Sequence, residues 1–227
     1  MKNKKLITMF GTIALIGAIG AGSTLAYLTS TTGTVTNTFT VGNVNFDEQL
    51  NNGLSESKVE RIKGIYEDAD GEAWSSDGNQ YKDLVAGEVV YKDPTAHMGS
   101  DSQDAYLFIR VYNTKAQIGN VAVFDSIDVD ASKWEQVGSG FEKINSSDSV
   151  EADYVDYVYK GAAKAGEHYT LFSHVTMGNI SSDMENIPQI VAKACAVQYA
   201  GFTDDAEGTE NEKTAVQKAY AETVWAK

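Results

Sequence analysis

The chain has 227 residues and a formal net charge of −14, from 18 lysine and arginine residues against 32 aspartate and glutamate residues. A chain this acidic has no surplus of basic side chains to neutralise a phosphate backbone, so nucleic acid is excluded as a partner. Its single cysteine, Cys195, cannot close an intramolecular disulfide. Stability must therefore come from an ordinary hydrophobic core, for which 42% hydrophobic residues suffice.

Residues 1–26 have the charge pattern of a secretory signal peptide. Three lysines precede a long apolar stretch, and no charged residue or histidine follows until Asp47. Small side chains at Thr24 and Ala26 occupy the two positions that a signal peptidase recognises before Tyr27. We therefore predict export, with cleavage between Ala26 and Tyr27. A retained membrane anchor is the alternative, because about 16 to 20 apolar residues just span a bilayer.

Residues 27–46 form an uncharged arm that is rich in threonine and valine and contains no proline, a composition typical of strands that pair readily. Its apolar positions change face at a bend or bulge near Gly42. One face carries Val35, Asn37, Phe39 and Val41, and the other carries Val44 and Phe46. Such a segment at a free N-terminus either completes its own sheet or pairs with the sheet of a neighbouring subunit.

The remaining residues, 47–227, have the pattern of one all-β domain. Residues 47–80 contain Asn-Gly and Asp-Gly turns and are expected to be a loop-rich connection. Beyond them, short alternating runs between turn signals predict strands over 84–91, 105–112, 121–129, 154–159, 168–177 and 187–202. Helical spacing predicts a short helix over 214–225. Many strands and few helices indicate a β-sandwich with Greek-key or jelly-roll wiring.

Three motifs, in this order, carry a resemblance to a known family. The first is a glycine-rich apolar stretch that runs into Ala-Tyr-Leu-Thr at 26–29 and Asn-Thr-Phe-Thr-Val-Gly at 37–42. The second is Asp-Ala-Tyr-Leu-Phe-Ile-Arg-Val at 104–111, and the third is Ala-Cys-Ala-Val-Gln-Tyr-Ala-Gly-Phe at 194–202. In order and spacing these motifs resemble the TasA/camelysin family of secreted proteins of Gram-positive bacteria. The first motif is the most specific.

The resemblance implies a secreted fibre subunit of a biofilm matrix. It implies cleavage by a SipW-type signal peptidase, a jelly-roll β-sandwich with short peripheral helices and an extended N-terminal strand, and localisation in the extracellular matrix or at the cell surface. The subunits of this family form a homopolymer in which the N-terminal strand is donated to the next subunit. The resemblance also suggests an accessory or nucleating matrix protein as a partner. We expect no cofactor.

A camelysin-like cell-surface metalloprotease is the alternative from the enzyme class. Zinc proteases hold their metal with converging ligands, usually two histidines one helical turn apart, and the sequence contains no such motif. His168 and His174 lie six residues apart on a predicted strand, which separates them by roughly 20 Å, and His97 is expected in a loop. We therefore predict neither a catalytic residue nor a metal site. A monomeric secreted adhesin of the same fold stays open as the third alternative.

The first testable prediction concerns charge. Removing the three leader lysines from the 18 basic residues leaves 15 against 32 acidic ones, a net charge of −17. This charge opposes self-association, so added salt or acid, which screens or lowers it, is expected to accelerate fibre formation. Light scattering at about 10 mM and about 500 mM NaCl measures the effect, with sucrose of equal osmolality as the control. Equal rates at both salt concentrations would contradict it.

Overall fold

The computed structural model describes residues 29–31, 44–47, 53–62, 65–69, 74–75, 78–182, 184, 187–200, 202 and 212–225. In this part of the chain most of the regular structure is β-strand, which confirms the all-β prediction. A short helix, α1 (Glu212–Ala221), follows the last strand. The strands are β1 (Thr29–Thr31), β2 (Leu54–Ser57), β3 (Val59–Ile62), β4 (Ile65–Asp68), β5 (Trp74–Ser75), β6 (Val89–Tyr91), β7 (Thr95–His97), β8 (Ala105–Tyr112), β9 (Gln117–Ile118), β10 (Val121–Ala122), β11 (Phe124–Ile127), β12 (Trp134–Glu142), β13 (Ala152–Tyr159), β14 (His168–Thr170), β15 (His174–Met177) and β16 (Val191–Gln198).

The first sheet has five antiparallel strands in the order β1-β16-β8-β13-β12. Its central strand is β8, in which all eight side chains are buried. Leu107 and Ile109 belong to one hydrophobic cluster, whereas Tyr106 and Phe108 belong to another on the opposite face. A sheet whose central strand is buried on both sides needs a covering layer on each face.

The second sheet supplies one of these layers. Its strands are ordered β11-β15-β6-β4-β3, and all neighbours are antiparallel except β4 and β6, which run parallel. Tyr66, Val90 and Val175 of this sheet are buried in the same cluster as Leu107 and Ile109 of the first sheet. The two sheets therefore form a β-sandwich around the main core.

A third, smaller sheet has the order β14-β7-β2-β5, and β9 and β10 form a separate hairpin. Ala96 of the third sheet joins the main core. Thr95 and His97 flank Ala96 on β7, so they lie on the opposite face, yet both are fully buried. On β7 both the apolar and the polar side chains are thus buried, whereas His168 and Thr170, on the polar face of β14, are exposed.

The helix α1 covers the other face of the first sheet. Ala215 and Ala219, one helical turn apart, are buried against Phe108 and Cys195. Alanine is both the best helix former and small enough to bring the helix close to the sheet. The expected short C-terminal helix is therefore present, and Cys195 is buried in the cluster that the helix covers.

A buried ion pair lies on this helix-covered face. Arg110 of β8 is opposite Asp156 of β13, and its Nε and a terminal nitrogen donate to the two carboxylate oxygens at 2.6 and 2.7 Å. Its other terminal nitrogen lies 2.7 Å from a carboxylate oxygen of Glu142. The guanidinium also lies 3.8 Å from the ring centre of Tyr154 and 4.9 Å from that of Trp225. The charge therefore has partners on every described side.

The ion pair also connects the helix to the sheet. Although burial alone would lower it, the hydrogen bonds to Asp156 and Glu142 raise the pKa of Arg110 above its ordinary value. Tyr220 of α1 donates its hydroxyl to the Asp156 carboxylate. A Cβ at Gly138 would lie only 2.4 Å from that hydroxyl, so a glycine there leaves space for the tyrosine.

Several predicted boundaries are wrong. The run 168–177 is not one strand but β14 and β15, which belong to different sheets. Residues 53–75 include four short strands, β2 to β5, where we expected a loop-rich connection with one short helix or strand around 57–66, and His97 lies on β7 rather than in a loop. The strands predicted over 84–91 and 187–202 are shortened to β6 and β16, and β12 was not predicted at all.

The second testable prediction is that Asp156→Ala lowers the free energy of unfolding by about 3 to 5 kcal/mol, because it leaves a buried guanidinium with one carboxylate fewer. Urea denaturation followed by tryptophan fluorescence measures the change. The control is Asp125→Ala, at an exposed position of β11, which should stay within about 0.5 kcal/mol of the parent. Equal stability of the two variants would show that the ion pair is dispensable.

Candidate functional site

The N-terminal arm meets the first sheet at its edge. β1 pairs with β16 in antiparallel register, with Thr29 opposite Val197 and Thr31 opposite Cys195. β1 is the last strand in the order of the first sheet, so the other side of β16 is held by β8. The arm is attached to this edge through a ladder of three residues.

The arm meets the domain again at residues 44–47, which we name the arm root. Val44 and Phe46 are 5% and 4% exposed and belong to the main hydrophobic core. The amide of Asp47 donates to the carbonyl of His97 at 2.9 Å, and the amide of Gly99 donates to the carbonyl of Asn45 at 2.9 Å. The arm root therefore packs as part of the domain of the same chain.

A glycine makes the burial of Phe46 feasible. Gly53 has a φ of +89°, and a Cβ at this position would lie 2.1 Å from the Cβ of Phe46. Any other residue at 53 would both strain the backbone and displace the aromatic ring. The arm root and the residue before β2 thus pack closely against each other.

The other predicted arm and cleavage positions lie outside the described residues. These positions are Ala26 and Tyr27 at the expected cleavage site, and Val35, Asn37, Phe39 and Val41 of the expected assembly strand.

A cleft of about 550 Å³ is lined by residues of the first, second and third sheets. Val191 and Ala192, at the start of β16, contribute to its wall. Its lining is mixed, with polar and apolar groups in nearly equal share, and two of the lining residues, Glu56 and Lys92, form an ion pair. Its volume lies within the range of about 300 to 1,000 Å³ that is usual for binding clefts. Further apolar lining comes from Leu54, Val90, Phe124, Val175, Met177 and Ile190.

A second arrangement of functional side chains lies on the polar face of the third sheet. His97 and His168 are directly opposite each other on β7 and β14, and their Nδ1 atoms are 2.7 Å apart. The Nε2 atom of His97 lies 2.7 Å from the hydroxyl oxygen of Ser55 on β2. Trp74 of β5 packs edge-on against the His97 ring, with 4.6 Å between ring centres. We name these four residues the histidine cluster.

The environment of the histidine cluster keeps His97 neutral. Burial, with a smaller contribution from His168, lowers the pKa of His97 to about 4, and Asp47 opposes the shift only in part. At neutral pH His97 therefore takes part in hydrogen bonds as an uncharged ring. One Nδ1 carries the proton and the other accepts it, because two lone pairs at 2.7 Å would repel.

The connectivity from Ser55 through His97 to His168 is that of a nucleophile, a base and an orienting group. Its electrostatics do not suit that chemistry, because a base with a pKa of about 4 is a weak proton acceptor at neutral pH. Ser55 is also only 4% exposed. Searching the described part of the chain for three or more His, Cys, Asp or Glu residues that could hold a metal ion finds no such group.

The remaining histidine lies elsewhere. His174 is on β15 of the second sheet, where its Nδ1 is 3.2 Å from a carboxylate oxygen of Asp128 and its ring meets Tyr91 edge-on. The sequence analysis separated His168 from His174 along one strand and placed His97 in a loop, so it did not predict the contact between His97 and His168. The available signal was the pattern Thr-x-His at 95–97 and His-x-Thr at 168–170, which matches when two strands align in antiparallel register.

Comparison of the chain with protein-family models, with curated proteins and with solved structures finds no match in any of the three. A helix long and apolar enough to cross a membrane is absent from the described residues.

Proposed function

We propose that the chain is a secreted subunit of extracellular matrix fibres, a homopolymer in which each N-terminal arm is donated to the first sheet of the next subunit. The proposal includes the jelly-roll wiring of the sandwich, export through a SipW-type signal peptidase, and a nucleating matrix protein as a further partner. The observation that carries it is the pairing of β1 with β16, which identifies a sheet edge that accepts the arm.

The hydrogen bonding at this edge permits exchange. A strand that adds to an edge makes the same main-chain hydrogen bonds whether it comes from its own chain or from another copy. An arm from a neighbour therefore competes directly with the chain's own β1.

The position of the cleft also supports donation of the arm to β16 of a neighbouring subunit. β1 runs antiparallel to β16, so an incoming arm in this register continues from Cys195 towards Val191 and Ala192, which line the cleft. In such a neighbour, continuing the register would bring Val35 opposite Val191. The apolar part of the lining suits the alternate apolar side chains of the arm.

The opposite edge of the first sheet is less suited to accept a strand. β12 pairs with β13, and its register shifts between Gln136 and Gly138, which places Val137 in a bulge. Bulges and charged side chains, such as those of Glu135 and Glu142, discourage pairing at an edge. One receptive edge on the first sheet of each subunit leads to linear growth along that sheet.

The third testable prediction uses electron microscopy. A chain that begins at Tyr27 is expected to form fibres, and its Phe39→Asp variant is expected to stay monomeric but folded, because a charge replaces an apolar anchor of the arm. The deletion control begins at Val44, since Val44 and Phe46 are buried in the core and must be kept. Fibres from the deletion variant would contradict strand donation.

The fourth testable prediction is a disulfide cross-link between paired residues of β1 and β16. Thr31→Cys places a second thiol opposite Cys195, and opposed residues of an antiparallel pair lie close to disulfide geometry. Mild oxidation of fibres is expected to give a ladder of covalent oligomers on a non-reducing gel. The matched control is Ser30→Cys, whose partner in the register is Ala196 rather than Cys195. Intrachain disulfides alone in the fibres would place the arm in its own subunit.

A further inference from the structure

The arm root and the histidine cluster meet at β7. The carbonyl of His97 accepts the amide of Asp47, and the next residue, Met98, forms an antiparallel bridge with Phe46. On the other side of the strand, the amide of Met98 donates to the carbonyl of Glu167, beside His168. The position of β7 between the arm root and β14 therefore depends on how His97 and His168 contact each other.

The contact between the two histidines requires that at least one of them is neutral. A neutral pair shares one proton at 2.7 Å, whereas two protonated rings would hold positive charges at the same distance, with no lone pair left to accept. His97 is 0% exposed, so water cannot solvate the added charge. Its Nε2 would still reach the Ser55 hydroxyl, but that single contact does not replace the lost one.

The other groups around His97 offer limited compensation. Ser55 from β2 and Trp74 from β5 are neutral, and Thr95 on β7 is hydrogen-bonded to Thr170. His168 from β14 disfavours a positive charge on His97, and Asp47 from the arm root favours one more weakly. The side chain of Glu167 is exposed to solvent.

We propose that the His97–His168 contact is a pH-sensitive lock, which holds the arm root on β7 at neutral pH and loosens it when both rings are protonated. This inference rests on the proposed function for its consequence, because a loosened root lengthens the arm that can reach a neighbour. The four residues of the root add about 13 Å of extended chain. Acid then acts at a defined position of the fold as well as on the overall charge.

The pH range over which the lock opens follows from the direction in which the pKa of His97 is shifted. The pKa of His97 is lowered from 6.5 to about 4 in the folded chain, so an opened chain takes up the proton near pH 6.5 while the closed one resists it until about pH 4. Protection of the arm root is therefore complete above pH 6.5 and falls as the pH drops towards 4. Across this window the opening equilibrium is expected to increase on the order of a hundredfold.

The fifth testable prediction measures this opening by amide hydrogen exchange. In the chain that begins at Tyr27, kept monomeric at low salt, the protection factor of the Asp47 amide is expected to fall about a hundredfold between pH 7 and pH 4. His97→Gln should abolish this dependence on pH. If His97→Gln does not fold, His168→Gln, at an exposed position, should weaken the dependence.

Two controls isolate the lock. The amide of Val123, which donates to the carbonyl of Ala116 away from the cluster, reports general loosening of the fold. His174→Gln removes a histidine from the second sheet and should leave the protection of Asp47 unchanged. A constant protection factor for Asp47, or an equal fall in the His97→Gln variant, would overturn the lock.

Fibre assembly at constant salt separates the two proposals. If the lock operates, His97→Gln fibres should form with a weaker dependence on pH than the parent does. Fibres that form equally in both, together with constant protection of Asp47, would remove the lock and leave the proposed function intact. The absence of fibres from the parent at every pH, with protection that still depends on pH, would remove the proposed function and leave the lock.

Discussion

The burial of β8 on both faces is the constraint from which the rest of the architecture follows. One face requires a second sheet, and the other requires the helix and the residues after it. Arg110 lies in the middle of this strand, so its charge must be matched inside the protein by Asp156 and Glu142. Those partners come from β13 and β12, and Tyr220 adds the helix to the same network. The buried guanidinium of Arg110 and its partners thus link three strands and α1.

The central position of β8 also decides which edge of the first sheet can accept a further strand. With β8 at the centre, β13 and β12 extend the sheet on one side, and β16 alone extends it on the other before the arm is reached. β16 is well packed on both faces, since Ala194 and Ala196 belong to the main core while Cys195 and Val197 face the helix layer. It therefore offers a rigid, preformed edge, and a rigid edge lowers the entropic cost of binding an extended strand.

Much of the fold could be predicted from the sequence where a local pattern was strong. The apolar run of β8 predicts a central strand, and the spaced alanines near the C-terminus predict α1. β12 was missed because Gly138 and Gly140 are poor strand formers, and its place depends on partners far along the chain. The division of 168–177 was hidden because Leu171 has the same parity as Tyr169, Val175 and Met177, so the alternation continues where the chain changes sheet; Phe172, buried on the opposite parity, was the signal against one strand.

The histidine cluster could not be predicted in the same way. His97 and His168 meet only because β7 and β14 align in one register, and no local pattern fixes the alignment of strands so far apart in the chain. The arm is a different case, since its composition alone indicated strand pairing. Its division into a paired tip and a buried root depends on tertiary packing, including the space left at Gly53.

The separation of β1 and β16 along the chain has a consequence for folding. Synthesis proceeds from the N-terminus, so the residues of β1 exist long before their partners at 195–197 have been made. Pairing between such distant segments also forms slowly, because a long loop must close first. During this interval the strand has no partner in its own chain. β1 can therefore join the first sheet only late in folding, after β16 has been made and has paired with β8.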